Sequence, residues 1–119
     1  MVWTMTTRLR EPSYFILASL QDEALHGYAI ITQAATLSQN RVRLATGTLY
    51  AALDRLTGEG LIEIVREEIV SGRARRYYAL TPDGRTALQA EAEALSHAAR
   101  VVTDRAAARV RLRPAGGPA

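Results

Sequence analysis

The side chains best equipped for chemistry in this chain are its arginines. All 15 basic residues are arginine and lysine is absent, against 12 acidic groups, for a formal net charge of +3. A guanidinium is a planar fork that contacts phosphate or guanine through two bonds at once, although a GC-rich genome produces the same bias. Arg73, Arg75 and Arg76 crowd behind Gly72 and lead into Tyr77 and Tyr78. On a turn, three such charges form a clamp for a phosphate backbone, unless they pair with Glu67 and Glu68 across a hairpin.

A second group lies between Thr46 and Arg55. At 100° per residue Leu49, Leu53 and Leu56 gather on one side of a helix, leaving Gly47, Ala51, Asp54 and Arg55 on the other. Small side chains there let a helix axis approach base edges. Thr46 and Thr48 can bond phosphate or base, and Tyr50 can reach a phosphate with its hydroxyl. Thr46 can equally serve as the helix cap and Tyr50 as a half-buried aromatic. Arg43, just upstream, and Arg55 add positive charge. Asp54 is the awkward member, repelled by phosphate unless it pairs with Arg55 or meets a cytosine amino group.

Other chemistry is poorly supplied. The absence of cysteine removes disulfides, thiolate metal sites and thiol nucleophiles. His26 and His97 stand far apart, outside any metal-ligand spacing, and no glycine-rich phosphate loop or catalytic triad spacing occurs. The chain is therefore expected to be no enzyme and to carry no cofactor and no metal. Its longest apolar run, Tyr14 to Leu20, falls well short of the roughly 20 residues that span a bilayer. The first ten residues lack a signal peptide's apolar stretch, so the expected location is the cytoplasm, with no membrane partner.

A chain of 119 residues, 48% hydrophobic and 23% charged, accommodates one small domain. Glu11-Pro12-Ser13 reads as a helix start, with the apolar stretch to Leu20 behind it. Gln21-Asp22-Glu23 is a polar break. A second helix is predicted from about His26 to Leu37, ended by Ser38-Gln39-Asn40, and a third from about Thr46 to Glu59, with Gly58 and Gly60 as stop signals. Leu61 to Arg66 is rich in β-branched residues and predicts a strand. Ser71-Gly72 is a turn, and Arg73 to Leu80 the returning strand. Alternation puts Tyr78 and Leu80 on one face and Tyr77 on the other. Thr81-Pro82-Asp83 caps and opens a last helix running to about Leu112.

Three helices, a small β-hairpin and a final helix make a mainly α chain with the order of a winged helix-turn-helix, in which the third helix enters a major groove and the hairpin touches the flanking backbone. The expected division is an N-terminal arm over 1–12, the winged unit over 13–80, a C-terminal dimerisation helix over 81–112 and a frayed tail over 113–119. The same fold also serves as a protein-interaction module whose arginines engage an acidic partner, with no preference for specific DNA.

His26-Gly27-Tyr28-Ala29-Ile30, the run Gly47 to Leu56, Glu59-Gly60-Leu61-Ile62 and the run Gly72 to Arg85 together resemble the PadR family of bacterial transcriptional regulators, from about residue 14 to 100. The resemblance implies a homodimeric repressor of double-stranded DNA whose last helix mediates dimerisation. It also implies an effector, since members often respond to phenolic acids, antibiotics or other hydrophobic compounds. By that analogy Tyr28, Thr46, Thr48, Tyr50 and the wing arginines face DNA. Asp54 departs from the neutral or basic residue common at its position, and the single C-terminal helix places the chain with shorter members.

The last helix carries a seam of its own. Leu88, Ala92, Leu95, Ala99, Val102 and Ala106 step alternately by four and three residues, a heptad pattern. About 30 helical residues extend roughly 45 Å, longer than so small a domain can cover, so either part of the seam meets a partner or the helix folds back on its own domain. Seam alanines bury little area, which calls on Phe15, Leu17 and their neighbours in helix one, and on Trp3, to extend the interface. Two reading helices about 34 Å apart then match an inverted repeat. If an effector binds, its expected place is between helix one and the last helix, with Trp3, Phe15 and Leu95 as its candidate contacts.

Overall fold

Glu11 and Pro12 start α1 (Glu11–Ser19) as expected, proline having no N–H to waste in a first turn. The computed structural model describes residues 9–112, so Trp3, most of the expected arm and the tail over 113–119 lie outside the described residues. A two-residue strand, β1 (Leu25–His26), leads directly into α2 (Gly27–Leu37), and α3 (Thr46–Gly58) follows. Then come β2 (Ile62–Val70), β3 (Arg73–Leu80) and α4 (Pro82–Leu112).

The three strands form an antiparallel sheet in the order β1-β3-β2, a strand more than the expected hairpin. Leu25 pairs with Tyr78 and His26 with Tyr77. Two residues, set between Ala24 and Gly27, have no periodicity to read, which is why β1 escaped the sequence. β2 also runs to Val70 rather than stopping at Arg66, and on this added length Glu67 lies opposite Arg76 and bonds to it across the hairpin. A bulge between Ile64 and Arg66 shifts the register. The hairpin closes through Ser71 (φ 53°) and Gly72 (φ 79°), two consecutive left-handed residues as in a type I′ turn, whose twist matches the strands.

One core joins these elements: Ile16 and Leu17 of α1 with Leu20 just past its end, Ile30 and Ala34 of α2, Leu49, Leu53 and Leu56 of α3, and Ile62, Tyr78 and Leu88. Val42 and Leu44 in the loop before α3 are buried with them. That loop is held by Ser38, whose hydroxyl accepts the Val42 N–H at 2.9 Å, while Gln39 and Asn40 turn the chain with positive φ. Leu17, expected at a dimer interface, is fully buried inside the protomer. Leu88, the first seam residue, is also core, at 5% exposure.

Thr81 fastens α4 to the rest. Its hydroxyl accepts the Gly84 N–H at 2.9 Å, as an N-cap should, and donates to the Gly60 carbonyl at 2.6 Å. Its own N–H reaches the Leu61 carbonyl at 3.1 Å. Gly84 lies so close to that carbonyl that a side chain at 84 has no room. Past Ala92 the side chains of α4 are exposed, apart from a half-buried Ala108. No helix among the described residues is long and apolar enough to cross a membrane.

Candidate nucleic-acid interface

The third helix divides as its periodicity requires. Leu49, Ala52, Leu53 and Leu56 are buried, while Thr46, Gly47, Thr48, Tyr50, Ala51 and Asp54 form an exposed strip. Ala45, not Thr46, is the cap residue, and no side chain caps this helix. The Thr46 hydroxyl therefore sits in the first turn beside free backbone N–H groups, an arrangement that favours an anion. A Cβ added at Gly47 meets nothing within 4 Å, so the protein's own packing does not require glycine there.

Beside this strip runs a groove of about 360 Å³ between the start of α2, Tyr50 and the outer edge of the wing. His26, Tyr28, Tyr50, Val70, Arg73 and Arg75 are among its walls. Tyr28 projects from the second position of α2 at 74% exposure. β1 covers β3 only at Tyr77 and Tyr78, so the backbone edge at Arg73 to Arg76 faces the groove unpaired.

The arginines divide into two classes. Arg43, Arg73 and Arg75 have no carboxylate within salt-bridge distance among the described residues. Arg76, by contrast, donates to Glu67 Oε2 at 2.9 Å, and this bond raises its already high pKa. Arg55 turns away from the exposed strip: its guanidinium donates to Ser13 Oγ at 3.1 Å and lies 4.0 Å from Glu59. Expected on the reading face, Arg55 instead ties α3 to α1, and the Asp54–Arg55 pairing is not made. The cross-hairpin alternative thus holds for Arg76 but not for Arg73 or Arg75.

Tyr77, expected among the contact residues, is committed within the sheet. Its hydroxyl donates to Glu68 at 2.9 Å, its ring meets His26 edge-on with centroids 5.5 Å apart, and Arg66 lies over it at 3.9 Å. Burial lowers the His26 pKa below 6.5, Arg75 lowers it further, and Glu68 opposes them. Tyr78 is core, and burial raises its pKa. The sequence did not single out Arg66 or Glu68 as members of this stack. The three-way contact depends on the bulge, which has no local signature.

The expected dimer residues scatter. Phe15 is half-buried, packed edge-on against Tyr14 with centroids 5.2 Å apart. Ala92 is half-buried, whereas Leu95, Ala99, Val102 and Ala106 are exposed. A cavity of about 610 Å³ opens between the starts of α1 and α4 and the end of α3, lined by Leu9, Arg10, Ser13, Arg55, Glu59, Leu61 and Ala87. Neither Phe15 nor Leu95 reaches it. No cluster of three potential metal ligands occurs among the described residues.

Comparison with known proteins gives these features a context. The transcriptional regulator Rv3488 of Mycobacterium tuberculosis is 44% identical over 87 residues, 73% of this chain and 78% of that protein. The crystal structure of a PadR family transcription regulator from Clostridium difficile matches with a TM-score of 0.64 at 26% identity, over 80% of this chain and 97% of that one. Bacillus subtilis PadR in complex with operator DNA matches with a TM-score of 0.60 at 28% identity, over 67% of this chain and 46% of that one. The profile of the transcriptional regulator PadR-like family matches residues 16–90, the span that holds the core, the exposed strip of α3 and the wing, and the chain belongs to that family.

Proposed function

We propose that the chain is a homodimeric repressor that binds an inverted-repeat operator, with α3 reading base edges and the wing gripping the adjacent backbone. The observation that carries this reading is the groove between Tyr28, Tyr50 and the unpaired Arg73 and Arg75, open beside the exposed strip of α3. Positive side chains that meet no carboxylate among the described residues suit phosphate, and a helix face of glycine, alanine and threonine suits close approach to bases. The operator complex of the Bacillus subtilis relative supports the same use of the fold. Residues 13–80 act as the DNA-binding unit and 81–112 as the dimerisation helix.

Dimerisation rests on α4. Leu95 is 42% exposed and Val102 68%, on a helix whose far half touches little of its own domain. Hydrophobic side chains in a heptad register on such a helix suit a partner helix. Repression and release by a small hydrophobic or phenolic effector held between α1 and α4 complete the proposal.

A mobility-shift titration with the DNA upstream of its own gene tests it. Specific binding at low nanomolar to micromolar protein, with Arg75→Ala weakening it and reducing its salt dependence, is expected. Equal affinity for random duplex, or a footprint without two-fold symmetry, overturns it in favour of a protein-interaction module.

A further inference from the structure

The start of α2 holds a glycine that its own backbone does not require. Gly27 is the first residue of α2, has no positive φ and is buried, so its backbone would accept alanine. Space is what forbids a side chain. An ideal Cβ at Gly27 would stand 2.5 Å from the Tyr50 hydroxyl oxygen and 3.1 Å from Tyr50 Cζ, with Leu49 Cδ2 at 3.4 Å. The first two distances are well inside van der Waals contact, and the third is ordinary packing. Tyr50 thus lies with its phenol end seated on the bare Cα of Gly27, at the mouth of the groove that Tyr28, Arg73 and Arg75 line.

We propose that Gly27 is a positioning residue for DNA recognition: the missing side chain seats the Tyr50 hydroxyl against the start of α2, aimed at the backbone phosphate that the groove receives. The inference rests on the DNA-binding reading above and adds a residue that touches no DNA itself. Three features support it. Tyr50 is 46% exposed, so hydrophobic burial alone does not hold its ring in place. The clash at Gly27 falls on the far end of a side chain with free torsions, so a methyl group there moves the phenol and not the helix. Finally, the two glycines of this surface differ: a Cβ at Gly47 meets open space, whereas one at Gly27 meets Tyr50.

The test uses the full chain and a duplex that the wild-type protein selects from a randomised DNA pool. Gly27→Ala is expected to keep its melting temperature, to shift the Tyr50 ring resonances in the DNA-free protein, and to lose roughly ten- to hundred-fold in affinity, the worth of one hydrogen bond to a charged group. Tyr50→Phe, which keeps the ring and removes the hydroxyl, is expected to lose a similar factor. The double variant Gly27→Ala, Tyr50→Ala is expected to bind no worse than Tyr50→Ala alone, because both changes remove the same contact.

Wild-type affinity in Gly27→Ala or in Tyr50→Phe overturns the proposal, as do losses that multiply in the double variant. Should Gly27→Ala fail to fold, the double variant, with the space vacated, is expected to fold and to bind as Tyr50→Ala does; its failure to fold overturns the proposal. A wild-type protein that selects no duplex overturns the functional reading and the inference together, whereas binding unaffected by Gly27→Ala overturns the inference alone.

Discussion

Arg76 and Glu67 face each other across the wing, the guanidinium Nε 2.9 Å from Oε2, and the pair divides the wing's positive charge into a neutralised part and a free part. Both side chains are about half exposed, so the bond contributes little to stability. Its effect is on charge available to a polyanion. Glu67→Gln is expected to release Arg76, raising affinity for any duplex and steepening the dependence on salt by up to about one counterion. Arg76→Ala should then cost less affinity than Arg73→Ala or Arg75→Ala. Binding titrations at several salt concentrations check the order, and an Arg76→Ala loss as large as that of Arg75→Ala contradicts it.

Gly47 offers a test in which stability and binding move in opposite directions. Its Cβ position is open, so Gly47→Ala strains nothing and removes backbone freedom from the unfolded chain, a gain of up to about 1 kcal/mol. The same methyl group stands on the strip to which the proposed function assigns the base edges. Chemical denaturation should show equal or higher stability, and a mobility shift should show weaker binding. Unchanged binding removes this part of α3 from the interface.

The His26 imidazole supplies a pH dependence. Burial, aided by Arg75 and opposed by Glu68, lowers its folded pKa below 6.5. The unfolded chain therefore binds this proton more readily, and stability rises with pH through the window just below 6.5. The contribution is complete above the unfolded value and is lost as pH falls through the folded one. Urea unfolding of wild type between pH 7 and 5 should show this loss, and His26→Gln should lessen it. An equal slope in both proteins contradicts the assignment.

Leu17 and Val102 separate folding from assembly. Leu17→Ala removes a fully buried side chain and should cost about 2–5 kcal/mol of protomer stability. Val102→Glu places a charge on the exposed seam and should yield a folded monomer by light scattering, with DNA affinity strongly reduced. A dimeric Val102→Glu protein moves the interface elsewhere.

Much of this architecture was legible because it rests on local rules. Leu49, Leu53 and Leu56 announced the buried side of α3, Ser71-Gly72 the turn, and Thr81-Pro82 the start of α4. What escaped depends on partners distant in sequence. Arg55 reads as a surface cation on its helix, yet Ser13, 42 residues away, draws it toward α1. Leu17 reads as interface because an apolar run offers a helix no polar side, yet four of the nine residues of α1, Leu17 among them, are buried. Tyr77 shares its stack with His26 and Arg66 only because β1 exists and β2 bulges.

The junction at Gly84 has a mechanical consequence. With the Leu61 carbonyl pressed against the first turn of α4, and Thr81 bonded on both sides of it, the long helix has no slack at its root. Its root is pinned, like the foot of a spar, to the loop that ends α3. In the proposed dimer, the angle at which two spars cross would set the spacing of the two reading heads. A compound that wedged the spars apart would carry both heads out of step with the operator without touching either one.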